Sequence, residues 1–329
     1  MSTYDVIGIG NAIVDVISSA EDTFLDHMGI EKGIMQLIGK DRAEVLYAAM
    51  QDRVETPGGS VANTLAGIGA LGGSTAFIGK VKDDALGRFY AAGMEKAGTA
   101  FPNPPVADAE APTSRSMIFV SPDGERSMNT YLGAGADLSG ADVPLQVFTG
   151  GKLLFLEGYL FDKTEGKTAF VAAAEAMEKA GGRSGISLSD PFCTDRHRDD
   201  FKGLIRDNLD FAIGNAAEWC SLYETDNEET ALAEAAKVCD IVVCTRSGDP
   251  VLIRHGDAQI AVPVEPATPV DATGAGDQFA AGFLFGLATA RPLEVCGAMG
   301  VIAATEVIGH IGPRPKADIK ALFAQAGLI

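Results

Sequence analysis

The stretch VDATGAGDQFAAGFLFGL (270–287) decides how the rest of the chain is read. It passes from an extended segment through a glycine-rich turn into a run where Phe279, Phe283 and Leu287 recur every four residues, the spacing of one helix face. Gly282 and Gly286 leave room for close packing of that helix, which is predicted to begin close to Asp277. Gly274 and Gly276 free the backbone to adopt positive φ, so the N–H groups from Thr273 through Ala275 to Asp277 can converge into an anion-binding nest at the positive helix end. The same dipole favours an ionised Asp277, placed to accept a proton. The plainer alternative is an Asp that caps a helix after a flexible turn.

Upstream of this segment, short apolar runs alternate with longer amphipathic ones: DVIGIG, helical 41–51, STAFIG, helical 84–97, KLLFLEG, helical 164–180, GISLS, helical 195–206, DFAIG and DIVVCT. That rhythm predicts βαβ units around a mainly parallel sheet flanked by helices. Two segments interrupt it: RSMIFV (115–120) and RSMNTY (126–131), joined by SPDGE, read as a β-hairpin with Asp-Gly at the turn. With strand-like 12–18 and 33–38, the stretch 115–132 is expected to form a small, discontinuous β-rich lid on a single domain spanning 1–329.

Composition narrows the function classes. The 329 residues are 47 % hydrophobic and 22 % charged, which suits a globular chain with a sizeable core. Formal charge is −19, so nucleic acid and anionic membranes are excluded as expected partners, and any bound phosphate needs a local reversal of field by backbone amides, a helix end or a divalent ion. Cys193, Cys220, Cys239, Cys244 and Cys296 form no C-x-x-C pair and read as reduced thiols. Without a leader pattern or a long apolar run, the chain is expected to be soluble and cytoplasmic.

Three other glycine-containing segments fail on inspection. In VIGIGNAI the third glycine of a dinucleotide fingerprint would fall on Ile13, and EGKT (165–168) lacks the first glycine of a P-loop, where Phe161 stands. GGSVA (58–62) approaches a nucleophile elbow, but the polar DRVETP before it is no buried strand.

Other residues carry their own chemistry. Ser60 and Asn63 share a helix face after Gly58-Gly59 and can reach toward a polyol, while Asp15 can accept two hydrogen bonds from vicinal hydroxyls. Asn215 and Glu218 stand three apart at a helix start, the spacing of a capping box. Glu218 could also hold a magnesium-bound water.

Taken together, DATGAGDQFAAGFL, GGSVANTLAGIGALGGSTAFIGKVKDDALGRF (58–89) and the N-x-x-E of Asn215 to Glu218 resemble, in order, the motifs of the PfkB or ribokinase family of carbohydrate and nucleoside kinases. The resemblance implies a ribokinase-like α/β fold and ATP-dependent phosphorylation of a hydroxyl, with Asp277 as catalytic base and the backbone of Gly274, Ala275 and Gly276 as anion hole. It implies acceptor binding by Asp15, Gly58, Gly59, Ser60 and Asn63. Nucleotide binding falls to Asn215, Thr245, Gly248, Thr273, Gly274 and Gly276. Pro250 stands where the family's nucleotide loop has its last glycine, so Thr245 is the firmer landmark there. Magnesium with ATP is the implied cofactor, reached by Glu218 through water. Asp271 sits where family members often bind potassium, its alternative being an Asp that opens a turn. The lid stretch TSRSMIFVSPDGERSMNTYLGA and SLSDPFCTDRHRDDF look most like bacterial adenosine kinases, which favours adenosine as acceptor over a free sugar such as ribose, fructose or a keto-deoxy sugar acid. From other classes, a nucleoside sensor would retain the fold without turnover, and a dehydrogenase lacks its phosphate fingerprint. The chain is expected to act as a monomer or homodimer.

Overall fold

The computed structural model describes residues 3–329. The strands, in chain order, are β1 (Val6–Ile9), β2 (Ile13–Ser19), β3 (Met35–Leu37), β4 (Val54–Gly58), β5 (Thr75–Ile78), β6 (Thr99–Ala100), β7 (Ser114–Val120), β8 (Arg126–Tyr131), β9 (Leu153–Glu157), β10 (Arg183–Ser187), β11 (Phe211–Asn215), β12 (Ile241–Arg246), β13 (Asp249–His255) and β14 (Ala258–Val262). The helices are α1 (Asp22–Met28), α2 (Lys40–Ala49), α3 (Ser60–Ala70), α4 (Ala85–Lys96), α5 (Thr164–Lys179), α6 (Pro191–Arg196), α7 (Arg198–Asn208), α8 (Ala216–Tyr223), α9 (Glu228–Ala235), α10 (Ala275–Ala288), α11 (Leu293–Ile308) and α12 (Ile319–Gln325).

Nine strands form the large sheet in the order β14-β13-β12-β11-β10-β9-β1-β5-β6. It is parallel from β12 to β6, and β13 and β14 extend it antiparallel at one edge. Burial on both faces explains why its central strands read as unbroken apolar runs. On β9, Leu153 and Phe155 join the core under α3 and α10, whereas Leu154 and Leu156 join the core under α5, α7 and α8. The strand period of two splits one apolar run between two helical layers.

The second sheet has five strands in the order β3-β8-β7-β2-β4. Its hairpin β7–β8 turns at Asp123-Gly124, with Gly124 at φ 86° and its N–H bonded to the Ser121 carbonyl at 2.8 Å. The segments expected at 12–18, 33–38 and 115–132 all supply strands to this sheet. Of these five strands β4 was not anticipated: its Val54-Glu55-Thr56-Pro57 pairs with β2 at the sheet's edge, where a proline costs no ladder bond. The helix expected at 195–206 is two pieces. Asp190 caps α6 through the Cys193 N–H at 2.7 Å with Pro191 in its first turn, and the break falls at His197 before α7. Among the described residues no helix is long and apolar enough to cross a membrane.

The C-terminal ends of β1, β9, β10, β11 and β12 face the small sheet across one cleft. Ligands in open parallel sheets bind outside those strand ends.

Candidate active site

A cleft of about 620 Å³ runs between the two sheets. Its floor carries Asn11, Asp15, Glu157 and Asp277, one wall carries Met35, Leu37, Met128 and Leu132 of the small sheet's side, and the far end carries Asn215, Glu218 and Thr245.

Asp277 lies in the first turn of α10. Gly274 precedes that turn at φ 81°, and a Cβ there would lie 2.6 Å from Pro313 Cα, so only glycine fits both the conformation and the packing. Thr273, Gly274, Ala275 and Gly276 all line the cleft, and the first-turn amides of a helix lack intrahelical acceptors, so this loop presents N–H groups to an anion.

The Asp277 carboxylate is held from α3. Ser60 Oγ donates to Oδ1 at 2.6 Å and Asn63 Nδ2 donates to Oδ2 at 3.1 Å. Ser60 and Asn63, expected to reach toward a polyol, both line the cleft, and both bind the carboxylate because α10 packs directly on α3 and brings the two first turns together. Burial pushes Asp277 up to about 6, against the opposing pull of the Ser60 and Asn63 bonds and of Arg314. Desolvation therefore outweighs those bonds and that charge, and the carboxylate still remains mostly ionised at neutral pH.

Gly59 opens α3 at φ 99°, and a Cβ there would lie 2.4 Å from the Asn11 carbonyl oxygen. Gly58 does not line the cleft; it backs the Asp15 carboxylate. Asp15 projects from β2, and burial raises it to about 7 despite Arg314 and Arg126.

At the far end Asn215 and Glu218 form the reciprocal cap. Asn215 Oδ1 accepts the Glu218 N–H at 2.9 Å, and Glu218 accepts the Asn215 N–H at 2.8 Å and Nδ2 at 2.7 Å. Burial raises Glu218 to about 7. Each of its oxygens keeps acceptor capacity for a water, which fits an outer role toward magnesium; among the described residues no cluster of three or more His, Cys, Asp or Glu side chains is placed to hold a metal directly. Thr245 lines the cleft, but Gly248 does not: it lies exposed in the tight turn between β12 and β13, which points away once β13 folds back as an antiparallel strand.

Asp271 also lies outside the lining. Its Oδ1 accepts the Thr273 N–H at 2.9 Å, its Oδ2 accepts the Gly312 N–H at 2.9 Å, and Arg126 of β8 pairs with Oδ2 at 3.2 Å. Burial would raise this carboxyl, but those bonds and Arg126 hold it below the ordinary range. An arginine and two amides thus meet this carboxylate. The ion pair ties the small sheet to the anion-binding loop.

Two site residues escaped the sequence. Glu157, at the end of β9, accepts from Asn11 N at 3.1 Å, Asn11 Nδ2 at 2.8 Å and Val61 N at 3.1 Å, and burial raises it to about 7. Its only signal was a carboxylate closing the apolar run KLLFLE. Arg314 stands in the loop after α11 and left no periodic signal.

A carboxylate beside an anion-binding helix end, in a cleft between a parallel sheet and a small β sheet, defines a phosphotransferase of the ribokinase-like fold. Residues 29–320 match the pfkB family of carbohydrate kinases, and the chain belongs to that family. A solved probable sugar kinase protein from Rhizobium etli CFN 42 is 42 % identical with TM-score 0.91, the match covering 100 % of each chain. The adenosine kinase from Sinorhizobium meliloti is 43 % identical with TM-score 0.90, covering 99 % of this chain and 100 % of that one. A fructokinase of Klebsiella pneumoniae is 28 % identical over 82 % of this chain and 89 % of its own. The protein is thus an ATP-dependent kinase acting on a hydroxyl of a small molecule.

Proposed function

We propose that the protein phosphorylates the 5′-hydroxyl of adenosine, giving AMP and ADP. The observation that carries the chemistry is the Asp277 carboxylate, held by Ser60 and Asn63 in the first turn of α10 beside the anion-binding loop. As the acceptor oxygen bonds to the γ-phosphorus, the bond from that phosphorus to the bridging oxygen breaks, ADP leaves, and the hydroxyl proton passes to Asp277. Amides of Gly274 to Gly276 meet the charge on the transferring group. Magnesium bound with ATP would shield phosphate charge in a strongly acidic protein, and Glu218 would hold it through a water. No step requires potassium.

Adenosine is favoured by the cleft's apolar side. Met35, Leu37, Met128, Leu132, Tyr159 and the exposed Phe192 all line it, an apolar and aromatic lining suited to a flat nucleobase and wasteful for a free sugar. The similarity to the S. meliloti adenosine kinase supports the same acceptor. A free sugar is the second reading, supported by the fructokinase similarity and by the carboxylate of Glu157 on the floor beside Asp15. The test is an acceptor screen with ATP and magnesium: adenosine is expected to give the highest kcat/KM, and ribose or fructose surpassing it would transfer the assignment to a sugar.

A further inference from the structure

Arg314 lies between Pro313 and Pro315 in a loop that is tied down on several sides. Glu306 Oε1 accepts the N–H groups of Lys316 at 3.0 Å and Ala317 at 2.7 Å. The wholly buried Gln278, next to Asp277 in α10, donates through Nε2 to the Pro313 carbonyl at 3.0 Å and to the Asn63 carbonyl at 3.1 Å. Gly274 packs against Pro313. The loop, the anion-binding turn and the start of α3 therefore form one connected body.

From that loop the guanidinium reaches inward. Arg314 Nη2 donates to the Pro57 carbonyl at 2.7 Å, and Nε donates to Asn63 Oδ1 at 3.2 Å. Asn63 in turn donates through Nδ2 to Asp277 at 3.1 Å. An amide can sit either way round, and the reversed orientation would press its oxygen against the carboxylate. A donor at Oδ1 selects the orientation in which the N–H faces Asp277.

We propose that Arg314 is a positioning residue for the phosphoryl transfer: it orients the Asn63 amide toward Asp277 and brings positive charge to that carboxylate's surroundings. This rests on the reading of Asp277 as the base. The Asp277 charge helps raise Asp15 on β2 and Glu157 on β9, and Tyr159 and Tyr90 are neutral at physiological pH. Arg126 on β8 acts on Asp15 and is paired with Asp271. Arg314 is the cation that acts on both Asp15 and Asp277, opposing the burial that would protonate them.

The test compares Arg314→Gln, which keeps a donor for Asn63 without charge, with Arg314→Lys, which keeps the charge without the planar fork. The side-chain amide resonance of Asn63 is followed by NMR against pH, since its Nδ2–H reports the protonation of Asp277 whether or not the protein turns over. In Arg314→Gln the midpoint is expected to rise by about one unit, as loss of a nearby opposite charge implies. The acid limb of the kcat profile should move with it, so that kcat falls about fivefold at pH 6 and scarcely at all at pH 8.5. Arg314→Lys should keep the midpoint near wild type. A midpoint and acid limb in Arg314→Gln that coincide with wild type would overturn the proposal, as would a displaced midpoint in Arg314→Lys should the glutamine variant fail to fold. Failure of the base assignment looks different: the midpoint would move in Arg314→Gln while the rate profile stayed in place.

Discussion

At Asp277 two opposed influences meet, burial that favours the proton and a set of donors that favours the charge. Asp277→Asn preserves size and an oxygen that can accept from Ser60 or Asn63 while removing the proton acceptor. With acceptor at saturation, kcat should fall by roughly 10²–10⁴-fold, with nucleotide affinity and thermal stability close to wild type; near-normal turnover would mean that another group takes the proton. Asn63 and Asp15 separate by their contacts. Because Asn63 donates to the Asp277 carboxylate, Asn63→Ala should lower kcat as well as raise the acceptor KM. Asp15→Ala should act mainly on KM, raising it on the order of 10–100-fold for one lost buried hydrogen bond. Equal effects of the two on kcat, read from full saturation curves, would contradict this division of labour. The sequence made Asp277, Asp15 and Asn63 legible because each sits in a short local pattern. Glu157 and Arg314 act only through partners more than 90 positions away, Val61 for one and Asn63 for the other, so no local pattern could reveal them.

The small sheet lines one side of the cleft. It covers the cleft with Met35, Leu37 and Met128, and its Arg126 reaches the anion-binding loop at Asp271. A kinase must keep water from the γ-phosphate, so the hairpin at 115–131 is expected to become protected from hydrogen exchange when acceptor binds. Exchange there that is indifferent to acceptor and nucleotide alike would remove the sheet from the catalytic cycle. The hairpin was readable from Asp-Gly between two alternating runs. Strand β4 was not, because an edge strand facing solvent on one side carries polar residues and a proline, the same composition as a loop. Likewise, the antiparallel return of β13 is set by the sheet edge it covers, and it is this return that carries Gly248 out of the cleft.

Across the whole molecule, the alternation of apolar runs and amphipathic helices was enough to give the large parallel sheet, since burial on both faces leaves a clear mark on composition. The acceptor was less legible, as it depends on side chains from β3, β8 and the segments after β9 and β10 that meet only in the folded cleft. A chain with formal charge −19 handles phosphate by a local device, the amides at the start of α10, rather than by its overall field. The central claim is acceptor-dependent transfer to a nucleoside hydroxyl, and phosphorus NMR of a mixture of ATP, magnesium, adenosine and the full chain tests it most directly. The expected spectrum has 5′-AMP and ADP growing together in equal amounts, with ADP scarcely formed when adenosine is left out. ADP and inorganic phosphate accumulating at the same rate with or without adenosine, and no 5′-AMP signal, would contradict it.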